Sequence, residues 1–159
     1  MTQGNPDEAR PHVRFPPPLV FIGFMLLGLA ADRLFALPPL SVPPALGWAG
    51  LVLAIAGLVL IAVAIGLFRK AGENPEPWTP SETMIASGPY RLTRNPMYLG
   101  MAAVQLGFGL WWPSIGVLVL LPVAVILIDR TVIAKEESYL RATFGEAYDG
   151  YCRQVRRWI

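Results

Sequence analysis

Two stretches of the chain carry no Asp, Glu, Lys or Arg: residues 34–68 and residues 95–128. A soluble domain needs charge along every element to cover its surface, so uncharged runs of this length indicate contact with lipid. Within the first run, residues 46–68 form an uncharged segment of 23 residues. At about 1.5 Å per residue it crosses a hydrocarbon core of about 30 Å with some tilt. Gly50, Gly57 and Ala64 recur in it at seven-residue intervals. Small residues on one face let a neighbouring helix approach closely. Residues 19–37 make an earlier span, interrupted late by Asp32 and Arg33. That couple reads as paired and locally neutral, near the far interface. The sequence "LPPLSVPP" then ends any helix, because proline lacks a backbone donor and clashes with the preceding turn.

The second uncharged run is too long for one helix of usual length. Trp111-Trp112-Pro113 divides it. Tryptophan favours the membrane interface, and proline suits the start of a new helix. The pattern predicts a third span over residues 97–112 and a fourth from residue 114 to about residue 134. The expected fold is therefore all-α and integral to the membrane. It has four transmembrane helices, the third and fourth forming a tight hairpin, and a cytoplasmic C-terminal amphipathic helix. Residues 1–159 read as one domain, with a polar N-terminal tail over residues 1–18.

Charge sets the expected orientation. With the N-terminus in the cytoplasm, only Arg33 of the 13 Lys and Arg residues falls near the opposite side. The positive-inside rule then calls for an even number of spans and both termini in the cytoplasm. The expected location is the inner membrane of a bacterium. Composition agrees, at 54% hydrophobic and 15% charged residues. A net charge of +2 is too small to argue for nucleic acid. The single Cys152 excludes an internal disulfide and a cysteine metal cluster. The single His12 lies in the polar tail, which argues against zinc hydrolase chemistry and a Ser-His-Asp triad. The opening "MTQGNPDEAR" lacks a small-residue cleavage site, so the apolar segment after it reads as a retained span.

The long polar segments are the loop over residues 69–94 and the tail after residue 134, both on the same predicted face. Chemistry is expected there. In "KEESYLRATFGEAYDGYCRQVRRWI", Glu136, Leu140, Phe144, Tyr148 and Tyr151 follow three- and four-residue steps, with Gly145 as an interruption. A helix lying on the membrane surface fits that pattern. Glu136 and Glu137 follow a span that already carries Asp129 and Arg130, which fits snorkelling, ion pairing or a functional site. In "GPYRLTRNPMYLGM", Gly88-Pro89 is a turn signal, and Asn95-Pro96 starts a helix with Asn95 as N-cap. Tyr90 and Tyr98 suit interface anchors, and Arg91 and Arg94 suit headgroup contacts, unless the stretch forms a site.

Taken in order, "SGPYRLTRNPMYLG" and "EESYLRATFGEAYDGYCRQVRRW" resemble the isoprenylcysteine carboxyl methyltransferase family. More broadly, they resemble the small integral-membrane methyltransferases that include the phospholipid N-methyltransferases. The resemblance covers residues 68–159, which are expected to form the cofactor-binding, catalytic half. The motifs do not specify the acceptor. Where the carboxyl methyltransferases usually carry Arg-His-Pro, this chain has Arg94-Asn95-Pro96. That form looks more like the phosphatidylethanolamine methyltransferases and many bacterial relatives.

The resemblance implies methyl transfer from S-adenosylmethionine, with S-adenosylhomocysteine as product. The acceptor would be lipophilic and enter from the bilayer: an isoprenylcysteine-like carboxylate, or alternatively a phospholipid amine or a thiol. Membrane lipids are the expected surroundings, with no nucleic acid and no metal. The implied cofactor-binding set is Gly88, Tyr90, Arg94, Asn95, Pro96, Met97, Tyr98, Leu99, Gly100, Glu136 and Glu137, with Arg94 and Glu137 as the catalytic pair. Arg94 and the start of the third span suit the cofactor carboxylate. Glu136, Glu137, Tyr90 and Tyr98 suit its cations. Asn95, Met97 and Leu99 suit its adenine. Glu136 shares a helical face with Leu140 and Phe144, so it is expected to face the bundle and meet a cofactor cation or Arg94. Glu137, four residues before Arg141, suits a surface ion pair or a base for an amine acceptor. The opposing reading is a non-catalytic subunit or permeation protein, which needs polar residues lining a path. Spans two to four offer only Gln105, Ser114 and the terminal Asp129-Arg130-Thr131. No strand leading into a glycine-rich loop marks a soluble-type methyltransferase.

Overall fold

The computed structural model describes residues 16–38 and 40–159. His12, Arg10, Arg14 and nearly all of the expected polar tail lie outside the described residues. Within the described residues, all regular structure is helical. The helices are α1 (Pro17–Leu34), α2 (Pro44–Lys70), α3 (Pro96–Trp111), α4 (Ile115–Ile128), α5 (Ala134–Phe144) and α6 (Glu146–Gln154). A short 3-10 turn, Gly88–Arg91, precedes α3, and a wide π-type turn, Asp129–Ile133, joins α4 to α5. Proline at the first turn starts α1, α2 and α3, where its missing N–H costs nothing.

Among the described residues, three helices are long and apolar enough to cross a membrane: Pro17–Leu34, Pro44–Lys70 and Ile115–Phe144. Only 11% of the most apolar window of α2 is buried inside the protein. Leu19, Leu26, Val52, Leu58 and Val119 are all more than half exposed, which suits a lipid-facing surface. At 16 residues, α3 is about 24 Å long, shorter than a hydrocarbon core of about 30 Å.

The expected fourth span ends near residue 134, yet the helix runs on to Phe144 as one 30-residue rod. Nothing between Ile128 and Phe144 breaks it, because the π-type turn absorbs the polar run Asp129–Ile133. The break comes at Gly145, whose φ of +53° disfavours any residue with a side chain. The tail expected as one amphipathic helix is therefore divided. Its first half, α5, extends the α4 rod, and only α6 stands apart.

Backbone-close packing holds the helices together. A Cβ on Gly57 would lie 2.6 Å from the Gly100 carbonyl oxygen, and one on Gly50 would lie 2.7 Å from that of Gly107. These two contacts run α3 antiparallel along α2, on the small-residue face anticipated from Gly50, Gly57 and Ala64, all three of which are buried. Gly28 of α1 meets the backbone of Gly116 and Val117 in α4 in the same way. Asp32 does not pair with Arg33. Its carboxylate accepts from Ser114 Oγ at 2.5 Å and from the Gly116 N–H at 2.8 Å. Ser114 in turn caps α4 by accepting from the Val117 N–H at 3.1 Å. The free N–H groups and positive end of α4 hold Asp32, while adjacent residues on a helix point about 100° apart.

Candidate active site

The chain reverses at each connection, so Asp32 and Ser114 mark one end of the bundle and Phe68, Arg94 and Asp129 the other. At this second end, the 3-10 turn, the first turn of α3, α5 and α6 surround a cleft open to the surroundings.

Tyr90 is set by the 3-10 turn and by α6, from which Tyr151 Oη donates to the Tyr90 carbonyl at 2.6 Å. Its ring packs edge-on to Phe68, with centroids 5.9 Å apart. The Tyr90 hydroxyl is buried and has no hydrogen-bond partner. Burial, then the charge of Glu136, push its pKa far above the ordinary phenol value, so it stands as a neutral donor. Burial also pushes Tyr151 up to about 12, against the opposing charge of Arg94.

Arg94 Nη2 donates to Glu137 Oε1 at 2.9 Å, and its Nε is buried without a partner. Tyr98 Oη donates to Glu136 Oε1 at 2.7 Å. Glu136 was expected to meet a cofactor cation or Arg94; of the two glutamates it is Glu137 that takes the guanidinium. Glu137 also receives Arg157 Nε at 3.0 Å and Arg157 Nη2 at 2.5 Å. The i, i+4 pair of Glu137 with Arg141 does not form. Arg141 turns outward to Asp149 at 2.8 Å and lies over the Tyr148 ring. Pairing of Glu137 with Arg94, at 9% and 14% side-chain exposure, overrides a surface spacing that is worth only about 0.3–0.5 kcal/mol.

Asn95 occupies the N-cap position of α3, but its side chain caps nothing there. Its Nδ2 donates instead to the Arg157 carbonyl at 2.9 Å. Of the residues singled out from sequence, Tyr90, Arg94, Asn95, Met97, Tyr98, Glu136 and Glu137 all line the cleft. Gly88, Pro96, Leu99 and Gly100 do not. Gly88 has a φ of +58° in the turn, Pro96 is fully buried at the start of α3, Leu99 is half-buried, and Gly100 faces α2.

Sequence reasoning expected chemistry in the loop over residues 69–94 but named no residue between 71 and 87, where Asn74, Glu76, Thr79 and Thr83 wall one side of the cleft. Glu73 ties that loop together by accepting from the N–H groups of Glu82 at 2.9 Å and Thr83 at 2.6 Å. Tyr139 of α5 pins it by accepting from the Ser81 N–H at 3.1 Å. Pro75, Pro77 and Pro80 were the available signal of a built loop. Among the described residues, no group of three or more His, Cys, Asp or Glu side chains is gathered as metal ligands.

Residues 46–147, well over half of the chain, match the family model described as phospholipid methyltransferase. An uncharacterized protein of Haemophilus influenzae is 34% identical over 67 residues, which are 40% of this chain and the whole of that one. The cobalt-zinc-cadmium resistance protein CzcN of Cupriavidus metallidurans is 33% identical over 75 residues, 47% of this chain and 34% of that protein. No solved structure matches.

Proposed function

The chain belongs to the phospholipid methyltransferase family, and on that premise we propose that it transfers a methyl group from S-adenosylmethionine to a lipophilic acceptor. The family and the apolar helices make it an integral membrane methyltransferase. The observation that carries the cofactor is the pair of buried, unpartnered donors in one cleft, Tyr90 Oη and Arg94 Nε, beside Glu136. Buried polar atoms are rarely left without partners, and a zwitterionic, polar ligand supplies them. When bound, the cofactor supplies an electrophilic methyl group on a sulfonium.

Arg94 suits its carboxylate, because its Nε is left free to donate a charge-assisted hydrogen bond while Nη2 holds Glu137 and Nη1 reaches the Cys152 carbonyl at 3.5 Å. Glu136 and the rings of Tyr90 and Tyr98 suit its cationic centres. Glu137 is filled by two arginines and so serves to hold Arg94 rather than to take a proton. Glu136, with one phenol as donor, is the better proton acceptor. Beyond these contacts, the chain orients the reactants and excludes water.

The acceptor can be a carboxylate, an amine or a thiol by family chemistry. Beyond the Glu137–Arg94 pair the cleft is lined by Glu76 and Glu136, an acidic balance that favours an amine-bearing lipid over a carboxylate. The test has two stages. Calorimetry with S-adenosylhomocysteine in detergent should give saturable binding. Labelled S-adenosylmethionine with membrane lipid extracts, an aminophospholipid, a prenylated cysteine and a long-chain thiol should then label the aminophospholipid best. No binding of S-adenosylhomocysteine defeats the cofactor reading, and preferred labelling of the prenylated cysteine reverses the choice of acceptor.

A further inference from the structure

Arg157, which lies outside the cleft lining, makes more contacts with Glu137 than Arg94 does. Its Nε and Nη2 grip the carboxylate as a fork, at 3.0 Å to Oε1 and 2.5 Å to Oε2. Its Nη1 lies 3.3 Å from Asp129, and Trp158 Nε1 donates to that same carboxylate at 3.0 Å. Charges therefore alternate in one line: Arg94, Glu137, Arg157, Asp129. Arg94 reaches Glu137 through a single hydrogen bond, and its Nε stays unpartnered. Left to themselves, a guanidinium and a carboxylate form two parallel hydrogen bonds. Here the second arginine already occupies that geometry.

Backbone contacts keep it in place. The Arg156 carbonyl accepts from the Arg94 N–H at 2.9 Å. The Arg157 carbonyl accepts from Asn95 Nδ2 at 2.9 Å and from Thr93 Oγ1 at 3.1 Å. Three hydrogen bonds thus tie residues 93–95 to residues 156–157. Without the Arg157 side chain, both Glu137 oxygens would be open to the Arg94 guanidinium, the remaining cation that contacts them.

We propose that Arg157 is a positioning residue: by holding Glu137 in a two-pronged grip, it keeps Arg94 from closing on Glu137 and leaves that guanidinium available to a ligand carboxylate in the cleft. This rests on the reading of the cleft as the S-adenosylmethionine site.

The experiment compares two probes by calorimetry on the full chain in detergent. S-adenosylhomocysteine carries an amino-acid carboxylate, whereas methylthioadenosine shares the adenosine and sulfur but lacks that group. Arg157→Gln should weaken S-adenosylhomocysteine about tenfold or more, the loss expected for one charge-assisted hydrogen bond. Methylthioadenosine should bind as it does to the wild type, which also shows that the cleft remains folded. Arg157→Lys keeps the charge without the fork and should fall between wild type and Arg157→Gln for the first probe alone. If Arg157→Gln does not fold, the lysine variant carries the test through the same selective loss. Equal losses for both probes, or no loss for either, overturn the proposal. A wild-type protein that binds neither probe overturns the methyltransferase reading itself, and the role of Arg157 with it.

Discussion

Glu136 and Glu137 are neighbours with opposite surroundings. Glu136 has one phenol as partner, while Glu137 has two guanidinium groups. Their substitutions should therefore separate. Glu137→Gln leaves Arg94 and Arg157 facing a neutral amide, and should lower stability by about 1–3 kcal/mol. Glu136→Gln keeps an acceptor for Tyr98 Oη, so stability should change by less than about 1 kcal/mol while the KM for S-adenosylmethionine rises. Thermal melting of both variants in detergent, with steady-state kinetics on Glu136→Gln, decides this. Equal melting temperatures would remove the structural role assigned to Glu137. Tyr90→Phe removes a buried hydroxyl that has no partner. The free protein should be as stable or slightly more so, and S-adenosylhomocysteine should bind several-fold more weakly, as expected for about 0.5–1.5 kcal/mol. About half of the cleft lining was legible in two short motifs. The partnering of the two glutamates was not, because helical spacing shows which face a residue shares but not that residues 156–158 return beside Arg94.

At the scale of the helices, seven-residue spacing identified the α2 face that is buried, Gly50, Gly57 and Ala64. The matching spacing in α3, Gly100 and Gly107, carries the other side of that contact. It was overlooked because Gly100 falls inside the chemical motif. A Cβ at Gly107 would sit 2.6 Å from the Ala54 backbone nitrogen, and backbone on both sides cannot move aside. Gly107→Ala should destabilise the protein by about 1–3 kcal/mol through overpacking. Gly66→Ala, with nothing within 4 Å of the added methyl, should be neutral. Melting curves in detergent compare them, and a neutral Gly107→Ala would mean that α2 and α3 pack less closely than described. The continuity of α4 with α5 was not legible, because the polar run Asp129–Ile133 resembles a span end and is taken up by a π-type turn.

For the molecule as a whole, the chemistry-bearing side chains gather at one end of the bundle, and the far end holds the Asp32 cap. The four spans expected from sequence predict that reporter fusions at residue 42 read outside and those at residue 159 read inside. The same side for both would defeat them. The shortness of α3 has a further consequence, for bilayer thickness. Trp111 and Trp112 are exposed at its far end, and tryptophan there suits an anchor at one interface. A helix of about 24 Å starting there stops short of the opposite headgroup plane. Arg94 and Asn95 would then open at the depth of the acyl chains, where a lipid reaches them and a water-soluble acceptor does not. Hydrophobic mismatch becomes a control on turnover: vesicles of short-chain lipid should bring acceptor headgroups level with the cleft and raise the rate, and long-chain lipid should sink the cleft below its own substrates.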